Sequence, residues 1–454
     1  MRISILLLTP LLLLPLHAQE ANSSETAILQ KVLDRLDALE RQNHELADEV
    51  HSLREELQSA RSVPVPEAQA PTGSAQPPLE ERVAVNEQRI AEQAQTKVEA
   101  SQKLPLSLTG MLLFNAFSTS AAPSAPYASA FRYAAGDSGA TLRQTQLGLQ
   151  FQGPHLPGDG RVHGFVSMDF FSGSVYAAGT NWLRIRRGAL SFDWEHRSLT
   201  FGQDKPLIAP RQPNSFAEVG VPPLAGAGNL WLWLPQARYE ERHNLGANSG
   251  FVAQASVLET AESYASLPPE YSKTLEQVRP GFEGRLEFWH KFDDVRRFEI
   301  APAFHASATH VAGTSIASRI ASFDWLIVPW SKVEITGTAF HGRNVASLGA
   351  LDQGFSIVSD QQVRPIHSSG GWAQISVPLA SRVTLNLLSG LEGDRARDLL
   401  PGNVVRNLEY ASNVIYRIGP NVLVAMEALQ MRTRLLSGPE QVRNRYDLAL
   451  AYLF

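Results

Sequence analysis

The spacing of apolar residues changes once along the chain, and the change divides it. Leu29, Leu36, Asn43, Val50 and Leu57 recur at one core position, and Val32, Leu39, Leu46 and Leu53 at another. The steps alternate between three and four, which is the heptad of a coiled coil. From Leu104 the period falls to two. Phe282, Leu286, Phe288 and Phe292 face one way, and Glu283, Arg285, Glu287 and Lys291 the other. Leu147, Leu149 and Phe151 alternate with Gln146, Gln150 and Gln152. Leu408, Tyr410, Val414 and Tyr416 alternate with Asn407, Glu409 and Asn413. The chain closes on Leu448, Leu450, Tyr452 and Phe454, set against Asp447, Ala449 and Ala451. A last strand that is apolar on one face and small or polar on the other, ending on an aromatic, suits the closing strand of a membrane β-barrel.

Sixteen strands are predicted between Leu104 and Phe454. Short connections follow the even strands: Pro154 to Gly160, Glu195 to His196, Ala247 to Ser249, Asp293 to Asp294, Pro329 to Trp330, Ala380, and Gly419 to Pro420. Long connections follow the odd ones: Ser118 to Gly139, Lys205 to Pro235, Ala261 to Arg279, Ala346 to His367, and Gly393 to Val404. Short turns on one side and long loops on the other are the outer-membrane pattern, with turns in the periplasm. An even count leaves both ends of the barrel there. The segment Trp182 to Trp194 changes parity, which predicts a bulge near Gly188. The fold class is therefore an all-β transmembrane barrel of about 16 antiparallel strands, preceded by an α-helical stalk.

The predicted organisation is a secretory signal over 1–18, a coiled-coil stalk over 19–63, a linker over 64–78, a second helical segment over 79–103 and the barrel over 104–454. The signal rests on Arg2, the apolar run from Ile3 to Leu14 and small Ala18. A retained anchor is the competing reading of this run. Asn22 with Glu25 resembles a capping box at the start of the stalk. In this register Arg35 and Glu40, then Glu49 and Arg54, attract across a parallel seam, and Asn43 fixes the register. A single amphipathic helix is the alternative. Pro64, Pro66 and a run rich in Pro, Ala, Gly, Gln and Ser to Pro78 form the linker.

Composition adds three points. The chain has no cysteine, which excludes lipid attachment at a cysteine and disulfide staples. A barrel needs no staples, because its strands satisfy one another's backbone groups. Charge is uneven: residues 19–103 carry 9 basic and 16 acidic residues, and residues 104–454 carry 30 and 29. Of those 30 basic residues, 26 are arginine, whose planar fork suits carboxylate and phosphate.

No H-E-x-x-H, G-x-S-x-G or Walker-type loop is present, and the histidines have no ligand spacing. No catalytic residue, metal site or cofactor is predicted, and basic residues are not interleaved with aromatics as in nucleic-acid binding. The most informative segment follows strand five. Phe201, Gly202 and Gln203 end the strand; Asp204, Lys205, Arg211, Glu218, Trp231 and Trp233 follow. A connection this long is more than a link. Folded into the lumen, it sets Lys205 and Arg211 against Asp204 and Glu218 as a charged constriction. Packed outside, it makes a subunit contact through Trp231 and Trp233. Arg143, Arg184, Arg186, Arg238, Arg242, Arg285, Arg406 and Arg445 are candidate wall residues, sharing the wall with Glu240, Glu283, Glu287, Glu409, Glu427 and Asp447.

With these residues in place, the chain resembles bacterial outer-membrane porins that carry an N-terminal periplasmic coiled coil, the DcaP-like and phosphate-selective porins. The resemblance rests on the signal, the heptads from Leu29 to Leu57, Phe201 to Gln203 before the long loop, and terminal Tyr452 and Phe454. It implies homotrimers of sixteen-stranded barrels in outer-membrane lipid, passive uptake of small anionic solutes, and a terminal signal read by the barrel-insertion machinery. Asn43 departs from the trimer pattern, since a core asparagine favours dimers. A tether, in which the barrel anchors a stalk that grips the cell wall, is the alternative function. An outer-membrane enzyme is a third, for which no residue set is found.

Overall fold

A computed structural model describes residues 106–120, 138–172, 182–262, 271, 273–276, 278–351, 354–359 and 362–454. The predicted signal, stalk, linker and second helical segment lie outside the described residues, as does Asn43.

The described strands are β1(Leu106–Thr119), β2(Ser138–Thr141), β3(Gln146–Leu156), β4(Gly160–Ser172), β5(Trp182–Asp193), β6(Arg197–Asp204), β7(Leu234–Asn244), β8(Ser249–Ala261), β9(Val278–Lys291) and β10(Arg297–Val311). They continue with β11(Thr314–Trp330), β12(Val333–Arg343), β13(Phe355–Ser359), β14(Gln362–Pro365), β15(His367–Ala380), β16(Val383–Asp394), β17(Val404–Arg417), β18(Val422–Leu435) and β19(Gln441–Leu453). All but β13 and β14 form one sheet, in which each strand pairs antiparallel with its neighbours in sequence. β2 and β3 pair with successive stretches of β1, so together they count as one strand broken at residues 142–145. β19 returns to pair with β1, Leu453 opposite Met111, and the sheet closes as a sixteen-stranded barrel. β13 and β14 form a separate hairpin in the connection between β12 and β15.

Closure removes both sheet edges, the feature that an open sheet must otherwise protect. Gly110 and Phe454 exchange both backbone hydrogen bonds at the seam. The Phe454 ring lies over Gly110, where an added Cβ would sit 2.6 Å from the ring. The terminal aromatic thus caps the outer face of the joint.

The barrel is inside out relative to a soluble sandwich. Phe282, Phe304, Met426, Leu448 and Leu450 are exposed on the outer face, while Asn115, Asp324, Asn407 and Glu409 are fully buried within. A soluble fold would reverse this, because unpaired polar groups are costly to bury. An exterior of this kind is stable only in lipid. The alternation predicted for the last strand holds: Leu448, Leu450 and Tyr452 face out, and Asp447, Ala449 and Ala451 face in.

Two departures concern connections. On the loop side, β10 and β11 are joined by only Ala312 and Gly313, so not every such connection is long. Both residues have positive φ (49° and 74°), the pair required by the tight hairpin turn that matches strand twist. On the turn side, β11 runs on through Pro329 to Trp330, and β15 through Pro378 to Ala380. Each proline lies at a shift in pairing register, where a missing backbone donor is tolerated.

Candidate functional site

The segment between β6 and β7 enters the barrel. Leu207, Ile208, Ala209, Glu218, Leu224 and Leu230 are all buried. Ile208 and Leu230 pack with Leu258, Ile320 and Phe340 of the wall. Val219 packs with Leu113, Ala425 and Ala449, and Leu224 with Trp372, Leu388 and Leu429. Apolar residues on the inward face of an otherwise polar wall are thus landing points for this loop.

Polar tethers supply the rest. The wall presents side-chain acceptors, and the loop presents backbone N–H groups that have no strand partner. Leu207 donates to Glu283 at 2.5 Å, Asn214 to Gln374 at 2.6 Å, Leu224 to Glu409 at 3.3 Å and Gly228 to Glu392 at 3.3 Å. Gln144, in the break between β2 and β3, accepts from both Val219 and Gly220 and donates to the carbonyl of Ala217. Ser215 donates through its hydroxyl to Glu427 at 2.6 Å. The loop is fastened from β1 round to β18. Sequence patterning did not single out Gln144, Gln374 or Glu392, because nothing local marks which inward polar residue a distant loop will meet. Asp324 was missed as well, although it interrupts the apolar run Phe323–Trp325 at an inward position.

Of the predicted constriction residues, Asp204 and Lys205 stay together and Arg211 and Glu218 do not join them. Arg211 reaches β10 and β11, with Nε 2.7 Å from Asp324 and Nη2 3.0 Å from Glu299. Arg285 grips the same Asp324 through Nε at 2.8 Å and Nη2 at 2.9 Å. Glu218 is buried with its Oε1 3.8 Å from Arg445 Nη1, and Arg445 is paired with Asp447 at 2.6 Å. Burial, reinforced by Glu409, holds the Glu218 carboxyl well above the usual carboxylate range, against the opposing pull of Arg445. Trp231 and Trp233 pack edge to face with centroids 5.5 Å apart, on the inner side of the barrel, where Trp233 takes the Arg186 guanidinium at 4.6 Å.

The remaining predicted arginines divide by partner. Arg143 is buried and donates to the carbonyls of Phe170 and Ser172. Arg184 pairs with Asp169 at 2.8 Å, and Arg186 lies 3.5 Å from the same carboxylate. Arg238 donates to the Lys205 carbonyl at 2.7 Å, and Arg242 pairs with Glu240. Arg406 is corrected: it faces outward. The unbroken period of two puts it on the same face as Leu408 and Tyr410, so Asn407 and Glu409 take the inward positions.

A second bulge explains the cations of β5. Pairing between β4 and β5 steps from Arg187 to Ile185 and leaves Arg186 as the extra residue, close to the predicted position. Arg184, Arg186 and Arg187 then all reach inward-facing partners: Asp169 for the first two, Asp204 at 2.5 Å for Arg187. Phe201, Gly202 and Gln203 shape this bulge. A Cβ on Gly202 would stand 2.1 Å from the Gly188 carbonyl oxygen. Gln203 donates its amide to the carbonyls of Ile185 and Arg186 on either side of the bulge. Lys205 lies next to this group. Desolvation first, then Arg187, pushes its ammonium down to about 7, with Asp204 opposing and Arg186 adding.

Below the loop, toward the turns, a cavity of about 870 Å³ lies along β3 to β7 and includes Arg161, His163, Asp193, Arg238, Glu240 and Arg242. A second, of about 740 Å³, lies under Gln212–Phe216 and includes Arg297, Lys332, Glu334 and Arg417. Among the described residues no cluster of His, Asp or Glu has the geometry of a metal site.

No protein-family model matches the chain, and no curated protein matches it in sequence. Solved structures do match in fold. The outer membrane channel DcaP of Acinetobacter baumannii shares 16% identity, with 77% of this chain and 97% of that chain covered and a TM-score of 0.61. An anion-selective porin from Comamonas acidovorans shares 11% identity, with 77% and 100% covered and a TM-score of 0.52. The fold expected from the resemblance is the fold found.

Proposed function

We propose that the chain is an outer-membrane diffusion channel for small hydrophilic solutes, and that its narrow passage favours anions. One observation carries this reading: a loop fastened inside a closed sixteen-stranded barrel leaves Arg186, Arg187, Lys205 and Arg238 grouped on the β5–β7 side. Asp204 and Asp169 are the carboxylates in contact with that group. A barrel of this size is wide enough for an aqueous channel. An ion 4 Å from one such charge gains ~1 kcal/mol in bulk water but ~4 kcal/mol at an effective dielectric constant near 20. Selectivity is therefore set where the loop narrows the lumen, not at the open mouths. The acids of the facing wall are spent on the loop's backbone and on Arg211 and Arg285, so they oppose anions less than their number suggests.

With the turns on the periplasmic side, as in outer-membrane barrels, both barrel ends would lie in the periplasm. The stalk would then stand there and join three copies, and Tyr452 and Phe454 would mark the closing strand for the insertion machinery. The names of the two fold relatives agree with a channel, one of them anion-selective. The test is a planar bilayer under a KCl gradient. Discrete conductance steps with a reversal potential toward chloride are expected. Absence of conductance would leave the tether reading, and a reversal potential toward potassium would remove the anion preference.

A further inference from the structure

The outer face of the barrel carries a graded surface on β17, β18, β19 and β1. Pairing registers set it out in rows. Nearest the loops, Arg406 pairs with Arg434, and Arg432 lies beside Leu408 and Val442. The next row is Tyr410, Gln430 and Asn444. Then come Ser412, Ala428, Tyr446 and Ser118, and after them Val414, Met426, Leu448 and Ala116. All of these lie on the face that the inverted barrel turns to lipid.

The two upper rows are not loose surface charge. Gln430 donates to Asn444 at 2.7 Å, Tyr410 donates to Gln430, and Arg432 Nε donates to Gln430 at 2.9 Å. The Arg432 guanidinium also lies over the Tyr410 ring at 5.8 Å. Glu440 is the acid near this group, 3.6 Å from Arg406 and 4.0 Å from Arg432. One carboxylate against three guanidiniums leaves a net positive site. Polar side chains are costly on a lipid-facing strand except at headgroup depth. Directly beneath, the small side chains Ala116, Ser118, Ser412 and Ala428 form the floor of a groove of about 630 Å³ flanked by Tyr446 and Met426.

We propose that this surface binds one phosphorylated glycolipid of the external leaflet, with its phosphate on Arg406, Arg432 and Arg434 and an acyl chain in the groove. This site requires the outer-membrane placement proposed above but not conduction. A free phosphate would use the arginines and ignore the groove. The groove continues from the basic rows toward the membrane centre, which is the order of groups in a lipid. Guanidinium forks match phosphate oxygens.

The test uses the full-length protein in detergent and measures retained lipid by native mass spectrometry. The probes are diphosphoryl lipid A, monophosphoryl lipid A and phosphatidylethanolamine. Diphosphoryl lipid A should bind best, and less well as salt rises. The double variant Arg406→Ala/Arg432→Ala should weaken it by about tenfold, the loss expected from removing a charge-assisted contact. Ala428→Trp, which fills the groove and keeps the charge, should weaken it as well. Arg319→Ala, at an exposed site on β11, should not. Heat-modifiable migration reports folding, and if the arginine variant fails to fold, Ala428→Trp and the salt titration decide. Unchanged binding in Ala428→Trp, or equal binding of phosphatidylethanolamine, overturns the proposal. So does loss of oligomer without loss of lipid, which would make the occupant a second copy. Conductance is recorded on the same samples: a silent protein that binds lipid A refutes the channel alone, and a conducting one that does not refutes the lipid site alone.

Discussion

Gly202 and Gln203 show how single residues set the chemistry of the lumen without facing it. The bulge in β5 turns three arginines toward inward partners, and it persists because a glycine admits the Gly188 carbonyl and a glutamine satisfies two carbonyls. The motif was visible in the sequence, but its role was not, since it depends on a neighbouring strand. Gly202→Ala should cost about 1–3 kcal/mol, as overpacking does, and lower the unfolding temperature of the barrel. Lys205 is a loop residue beside the arginine group whose charge changes near neutrality. Its ammonium is held down to about 7 by desolvation, Arg187 and Arg186, against Asp204. The sign follows directly: the group is cationic below that value and neutral above it. Anion preference should therefore fall as pH rises from about 6 to 8, across the depressed value of Lys205. Reversal potentials over this range check the trend. Lys205→Gln should show the weaker preference throughout and a flat profile. An unchanged slope in that variant would place the titrating group elsewhere.

At the scale of elements, the loop between β6 and β7 is held by contacts that alternate in kind. Three apolar patches bear its buried side chains, and carboxylates or amides take its backbone N–H groups. Three of the six wall acids predicted to line a channel, Glu283, Glu409 and Glu427, are occupied by the loop. Periodicity could place Glu283, Glu409 and Glu427 on the inward face, because parity is a property of one strand. It could not assign their partners on the loop, because those are more than 70 residues away in sequence. The same limit explains why Glu218 meets Arg445 rather than Lys205. Arg211 is a charged fastening, joining the loop to Asp324 and Glu299 on β11 and β10. Arg211→Ala removes it while leaving Arg285 on Asp324, so no bare carboxylate results there. The cost to the barrel should then stay below the ~3–5 kcal/mol of a broken buried pair. The loop, released at one point, should fluctuate. Single-channel records of the variant should show larger current noise and wider conductance steps with only a small fall in melting temperature. A quiet channel of normal conductance would mean that the apolar patches suffice to hold it.

For the whole molecule, the legible part was what repeats. Sixteen strands, their parity, the closing aromatic and the side on which turns lie follow from a period of two and from Gly, Pro and Asp placement. The small hairpin β13–β14 and the tight β10–β11 turn did not follow, since one is an insertion within a loop and the other departs from the expected long connection. The stalk is the remaining repeat, and its heptads make a prediction about assembly. A peptide spanning residues 26–61 should associate in parallel, because apolar residues fill both core positions for about four heptads except at Asn43. If three copies join there, Asn43 lies unfavourably in a trimeric core and restricts register rather than adding stability. Asn43→Ile should raise the peptide's melting temperature and broaden its distribution of oligomers in sedimentation. If the coil forms in the full-length protein, it would raise the effective concentration of the barrels for one another. Removing residues 19–63 should then lower the share of trimer that survives dilution, while each barrel keeps its conductance. A stable dimer of the peptide would instead give the stalk a stoichiometry unlike that of the proposed trimer, and a monomeric peptide would leave the single amphipathic helix as the reading of this segment.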